Sequence, residues 1–416
     1  MKNSFITNID VIESRNLFDF KIPLSKEEKK HLIITGKNGS GKTSLLEDVN
    51  KFLTQVFNNK LSSYSQMEQA LKAITQELSQ LEKFPEENHQ RGKIKQLERQ
   101  VKDFENWINQ FGGVKIDFYD NDVLIDEVQT GEYIIAYFNA RRETILNIPG
   151  GVKKISFKKR YNLTERANID FIQYIVNLKA DRSFARDDNE HDTVKEIDEW
   201  FSNFENNLKQ IIGNEKLKLK FDRKTYNFNI LENNKKPYSF NTLSDGYSAI
   251  ISIVTELLFR MEAHNTKNYN LEGIVLIDEI ETHLHVDLQK KVLPFLINFF
   301  PRIQFIVTTH SPFILSSVQN AVICDLESKL VTDDLSAYSY DSLIESYFSS
   351  DKYSDEVKAK LKSYEKLMLN KNLTESEKEE LSFLKDYFSQ VPKYSSKELI
   401  VKLQQIELQR LNNKEE

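Results

Sequence analysis

The chain has 416 residues, with 57 Lys and Arg against 63 Asp and Glu and a formal net charge of -6. That length has room for two or three domains, and the slight acidic excess gives no global attraction to nucleic acid, so any such contact has to be local. A single cysteine, Cys324, excludes an internal disulfide and fits a reducing cytosol. No long uncharged apolar run occurs and no apolar core follows Met1, so a cytoplasmic protein without membrane contact is expected.

In chain order, Leu32-Ile33-Ile34 reads as a buried strand and Ser44-Leu45-Leu46 as the start of a helix. Between them Gly36-Lys37-Asn38-Gly39-Ser40-Gly41-Lys42-Thr43 is a complete G-x-x-x-x-G-K-[ST] phosphate loop, in the strand-to-helix setting that the motif needs. The glycines let backbone N–H groups wrap phosphates, and the helix start adds a favourable dipole. The expected ATP-binding set is Gly36, Asn38, Gly39, Ser40, Gly41, Lys42, Thr43 and Ser44. Lys42 reaches the β- and γ-phosphates, and Thr43 holds magnesium (Mg2+).

Apolar residues then recur at Met67, Leu71, Ile74, Leu78 and Leu81. After a break around Pro85 they resume at Ile94, Leu97, Val101, Phe104, Ile108 and Phe111. That heptad-like stripe predicts an antiparallel helical hairpin with arms of about 30–35 Å. Whether it lies on its own head or reaches a partner stays open. Tyr133 to Phe138 reads as a buried strand, and Lys153-Lys154 with Lys158-Lys159-Arg160 form a basic stretch that suits either a solvated loop or phosphate backbones. An amphipathic helix over 193–212 and a strand hairpin across Asp222 to Thr225 follow.

Leu243-Ser244-Asp245-Gly246-Tyr247 opens a helix predicted to run to about His264. The aliphatic run Ile274 to Ile277 ends in Asp278-Glu279, the form of a Walker B strand. Asp278 binds magnesium through water, and Glu279 polarises the attacking water. A further strand, Ile303 to Val307, leads into Thr308-Thr309-His310, and a histidine at the carboxyl edge of a parallel sheet can reach a γ-phosphate. The expected catalytic residues are Glu279, His310 and Lys42, with Thr43 and Asp278 as magnesium ligands. His283 and His285 lie near acids, but no spacing demands a metal cluster. The rest is predicted mostly helical, with capping boxes at Thr374-x-x-Glu377 and Ser395-x-x-Glu398.

The order of these motifs resembles the ABC-type ATPase heads of the AAA-15/AAA-21 group, which is RecF-, OLD- and Rad50-like. The wording from Asp198-Glu199-Trp200 to Phe240-Asn241-Thr242-Leu243 looks most like the Septu PtuA-like bacterial anti-phage defence ATPases. In that group the Walker B strand continues as an acid, a spacer and Leu-His-Pro. Here Glu281-Thr282-His283-Leu284-His285-Val286 has valine for proline, and Tyr247 replaces a glutamine or glutamate of the signature.

The resemblance implies that Leu243, Ser244, Asp245 and Gly246 form a signature reading ATP held by a second subunit, hence a homodimer or higher homo-oligomer. His310 becomes the switch histidine, and Arg15 resembles a phosphate-side arginine of Rad50-like heads. No glutamine follows Phe138, which leaves Asn139 as a weak magnesium sensor.

The hairpin is too short and has no cysteine hook for a Rad50 tether. The tail lacks the acids of an OLD-type nuclease, with Asp333-Asp334 expected in a polar loop. The expected fold class is α/β, an ABC-type P-loop head over 1–60 and 113–330, with a coiled-coil hairpin inserted at 61–112 and a helical tail at 331–416. The expected function is an ATP-hydrolysing regulatory subunit of an anti-phage complex, gating a separate nuclease (HNH type by resemblance). The alternative is a RecF- or Rad50-like ATP-dependent clamp on DNA, and direct nucleic-acid contact stays open.

Overall fold

The computed structural model of the chain describes residues 4–81, 88–142, 144–233, 235–262, 270–333, 355–370, 373–389, 403, 405 and 406. It opens with β1 (Ile6–Ser14), β2 (Leu17–Pro23), β3 (His31–Thr35) and α1 (Lys42–Phe57), followed by α2 (Leu61–Leu81) and α3 (Asn88–Ile108). Next come β4 (Val114–Phe118), α4 (Asn121–Thr130), β5 (Tyr133–Phe138), α5 (Phe171–Asp187) and α6 (His191–Ile212). A small sheet of β6 (Lys218–Asp222), β7 (Asn227–Leu231) and β8 (Tyr238–Ser239) precedes α7 (Asp245–Glu262) and β9 (Glu272–Ile277). The head continues with α8 (Val286–Phe299), β10 (Ile303–Thr308), α9 (Pro312–Leu315), β11 (Ala321–Asp325) and β12 (Leu330–Asp333).

The central sheet has the order β12-β11-β3-β10-β9-β5. β3, β9 and β10 are buried at every position, so they read as unbroken aliphatic runs and pair in parallel, as strands covered on both faces do. β10 lies between the strands of the two phosphate motifs, with Thr308 opposite Ile34 and Val307 opposite Ile277. That register brings the carboxyl ends of β3, β10 and β9 to one edge. Only β12 runs antiparallel, on β11. It makes Asp333 the end of a strand, ion-paired with Lys30, which corrects the polar loop expected there; Asp334 lies outside the described residues.

A second, antiparallel sheet of order β2-β1-β4 faces the first across α1. Leu45, Leu46, Val49, Phe52, Leu53 and Val56 of α1 are all buried in the core that joins the two sheets. The helix after the phosphate loop is therefore fixed by packing on two sides.

Each arm of the predicted hairpin is a helix of 21 residues, about 31 Å long. Its base is anchored by rings, with Tyr64 5.5 Å and Phe111 5.2 Å from Phe52 between centroids. Of the predicted stripe, only Ile108 and Phe111 join that core; Met67, Leu71, Ile74, Val101 and Phe104 are half-buried.

The helix α5 was not legible in the sequence. Phe171, Ile172, Tyr174, Ile175 and Val176 are buried nearly in succession, which erases the 3.6-residue period. It packs on α6 through Phe171 against Phe204 and Tyr174 against Trp200.

The chain divides into two compact units, Met1–Tyr340 and Asp341–Glu416. In the second, α10 (Asp355–Leu369) and α11 (Glu375–Ser389) enclose Leu361, Tyr364, Met368, Leu384 and Phe388. Thr374 and Glu377 form the expected capping box, with the Thr374 amide donating to Glu377 Oε2 at 2.8 Å. The second capping box and Leu399 lie outside the described residues. No described helix is long and apolar enough to cross a membrane.

Candidate functional site

The turn from β3 into α1 can be built only with glycine at its sharpest points. Gly36, Gly39 and Gly41 have φ of 138°, 84° and 101°. A Cβ on Gly36 would stand 2.7 Å from Ser40 Oγ, so the loop closes on itself without room for a methyl. Gly41 is a left-handed N-cap with no side-chain cap bond, and the first turn of α1 holds no acid. The first intrahelical bond runs from the Leu45 amide to Gly41 O, so the amides of Lys42 to Ser44 have no acceptor within the helix, which suits them to an anion. Ser40 Oγ is buried without a hydrogen-bond partner among the described residues.

Lys42 is buried, and its Nζ donates to Gly36 O at 2.9 Å and Lys37 O at 3.1 Å. Burial lowers its pKa, while Glu281, Glu279, Asp278 and Asp325 oppose the shift. Those carboxylates hold a cation in place where the phosphates of a ligand would need one.

Thr43 Oγ1 stands 3.1 Å from Asp278 Oδ2 and donates to that carboxylate. Asp278 also accepts from Thr308 Oγ1 at 2.6 Å, and the same hydroxyl accepts the Glu279 amide at 2.7 Å. A hydroxyl and a buried carboxylate side by side are the hard oxygen donors that magnesium takes, so Thr43 and Asp278 fit the ion. Glu279 follows with a left-handed φ of 44°, a strained backbone for a side chain of its size. Its Oε2 accepts from Thr282 Oγ1 at 3.2 Å.

His310 is partly buried, and its pKa is lowered by burial first and by Lys42 second, against the pull of Glu281, Glu279 and Asp278. A neutral ring still carries one N–H donor, which is what a contact to a phosphate oxygen needs. Lys42 and Thr43 after β3, Asp278 and Glu279 after β9, and His310 after β10 thus converge on one sheet edge from three separate loops.

The predicted signature sits elsewhere. Ser244 and Asp245 are exposed at the start of α7, Leu243 is half-buried and Gly246 is buried. A Cβ on Gly246 would lie 2.8 Å from His283 O and 3.5 Å from Leu288, so this segment abuts the loop after β9. Exposed Ser244 and Asp245 face solvent in the single chain. His283 and His285 are also exposed, and no group of three His, Cys, Asp or Glu side chains able to hold a metal occurs among the described residues. Arg15 is exposed in the β1–β2 turn with φ 54°.

The sequence reading missed Arg142. It placed a weak sensor at Asn139, but that side chain is exposed, and it is Arg142 that reaches the site from β5. Arg142 Nη1 donates to Asp278 O at 2.6 Å and Asn139 O at 2.9 Å; Nη2 donates to Glu279 O at 2.9 Å and Ile280 O at 3.4 Å. One guanidinium therefore splints three consecutive carbonyls of the Walker B turn. The signal was present as Arg141-Arg142 just past a buried strand, yet only the fold shows which of the two turns inward. Of the basic stretch, Lys158 pairs with Glu165 and the Arg160 guanidinium lies over the Phe57 ring, while Lys153 and Lys154 are exposed.

Residues 32–316 match the family described as "AAA domain, putative AbiEii toxin, Type IV TA system". The chain is 25% identical to the "Retron Vc95 probable ATPase" of Vibrio cholerae over 88% of its own length and 85% of that protein. It is 34% identical to the "Septu protein PtuA" of Bacillus mycoides over 36% of this chain, but only 22% of that relative is spanned. Among solved structures, an Smc head bound to the C-terminal winged helix of ScpA aligns at 12% identity over 78% of this chain and 94% of that one. Its TM-score is 0.38, too low to add to the sheet order and motifs above. With the match running from the phosphate-loop strand through the His310 loop, the chain belongs to this AAA family of ATPases.

Proposed function

We propose that the protein binds and hydrolyses ATP with magnesium as the regulatory subunit of an anti-phage defence complex, and that it gates a separate nuclease. The observation that carries the ATPase half is the direct Thr43–Asp278 contact beside Lys42, with Glu279 and His310 on the same edge. Lys42 and the α1 amides bind the phosphates, and Thr43 and Asp278 hold magnesium, which when bound neutralises phosphate charge. Glu279 accepts the proton of the attacking water, and His310 contacts the γ-phosphate. Ser244 and Asp245 meet the ATP of a second copy, a reading supported by their exposure at the start of α7. Two heads would then close on two nucleotides and part on hydrolysis. The defence setting is supported by the names of the retron and Septu relatives.

The test uses Glu279→Gln protein with ATP and magnesium. A dimer or larger species by light scattering is expected, reverting to the nucleotide-free state when Lys42→Ala is added. A monomer at saturating ATP removes the two-head reading. The same protein, tagged and recovered from its native host, should carry a stoichiometric nuclease identified by mass spectrometry. Duplex DNA without a protein partner would instead make it a RecF- or Rad50-like clamp.

A further inference from the structure

Two residues beyond Glu279, Glu281 has a side chain with two different fates. Its Oε1 accepts the backbone N–H of His310. Its Oε2 is buried and has no partner among the described residues. Leaving a carboxylate oxygen buried and unpaired forfeits its hydration with nothing in return, so such an atom calls for a functional reason. Of the acids acting on Lys42, Glu281 has the largest effect, ahead of Glu279 and Asp278, and Glu281 also comes first among the acids acting on Arg142. The carboxylate therefore sits inside the phosphate end of the site.

Glu281 also completes a lacing of two loops. The Glu279 amide donates to Thr308 Oγ1, the Ile280 amide donates to Thr308 O, and Glu281 then takes the His310 amide. Among these bonds, only the last reaches His310 itself.

A triphosphate presents nothing but acceptors to a carboxylate. The complement of an unpaired Oε2 beside it must be a donor, and the donor that the reaction brings is water. We propose that Glu281 is a positioning residue for hydrolysis: one oxygen fixes the His310 turn, and the other accepts a hydrogen bond from the attacking water, orienting it beside Glu279. This rests on the ATPase reading above.

Glu281→Gln and Glu281→Ala separate the two halves. In Gln the amide oxygen can still take the His310 N–H, whereas its NH2 group is a donor where an acceptor is needed. Hydrogen exchange over 308–315 in nucleotide-free protein should remain slow in Gln and accelerate in Ala. Both variants should lose about 100-fold in kcat, the scale of a misplaced reactant, with KM and nucleotide affinity within about 3-fold of the parent. Unchanged exchange in Ala overturns the anchoring role. A kcat in Gln equal to the parent's, or a kcat loss matched by lost nucleotide affinity, overturns the water role. A parent protein that turns over no ATP counts against the ATPase reading instead, and the exchange experiment still decides the anchor.

Discussion

Arg142 is 5% exposed, and its guanidinium lacks a direct carboxylate partner among its hydrogen bonds, all of which go to carbonyls. Burial lowers its pKa to about 10, which still leaves it charged at neutral pH. A charge placed there at such cost fixes the Walker B turn, where Glu279 holds a strained backbone. Arg142→Ala is expected to destabilise the head by about 3 kcal/mol and to lower kcat about 10- to 100-fold. Arg142→Lys should recover little of either, because one ammonium cannot span three carbonyls. Chemical denaturation and steady-state kinetics check both, and wild-type kcat in the Lys variant would show that the splint is dispensable. The phosphate loop, Walker B acids and His310 were legible as residues because each lies in a short segment whose chemistry depends on local spacing. Arg142 and Glu281 act through contacts over 136 and 29 positions, and no local pattern carries such contacts.

At the scale of elements, α7 and the hairpin offer contrasting tests. The start of α7 exposes Ser244 and Asp245 while Gly246 is packed on His283 O. Ser244→Arg adds bulk only to the exposed side, so nucleotide binding to the single subunit should be unchanged while hydrolysis falls. Normal hydrolysis in that variant would show that the segment does not serve a second head's ATP. The hairpin is joined to the head core at Leu61, Tyr64, Trp107, Ile108 and Phe111. Phe111 is fully buried, so Phe111→Ala should cost about 3–5 kcal/mol and loosen the hairpin base. Proteolysis within 61–108 at a rate equal to the parent's would contradict that anchor. The stripe announced two helices because their seam is one-sided. It left open what they touch, since Tyr64 and Trp107, which tie them down, stand outside the stripe.

Across the whole head, stability should fall in mild acid because of His31. This ring is buried in β3, accepts the Phe305 amide at Nδ1, and has its pKa lowered to about 3 by burial and, secondarily, by Lys29. Below the unfolded value of about 6.5 the unfolded chain takes up a proton that the folded chain refuses. Stability is therefore full above that pH and declines as pH falls toward about 3, with a loss of roughly 2 kcal/mol by about pH 5. His31→Gln removes the titration and keeps an acceptor, so the difference between parent and variant unfolding curves should narrow with falling pH. Parallel curves between about pH 7 and 5 would refute the assignment. The titration is worth this much only because the ring is buried against Phe305 of β10.

The sequence by itself determined which residues make up the candidate site: glycines where φ must be positive, a lysine and threonine at a helix start, two acids after a buried aliphatic run, and a histidine after another. These are local requirements, written in adjacent residues. Tertiary structure alone decided the strand order that sets β10 between β3 and β9, and the inward turn of Arg142 rather than Arg141. It likewise decided the burial of α5 and the pairing of Glu281 with the His310 amide. Each depends on which distant segments share a face or an edge, and the free energy that selects them arises only when the whole core is packed.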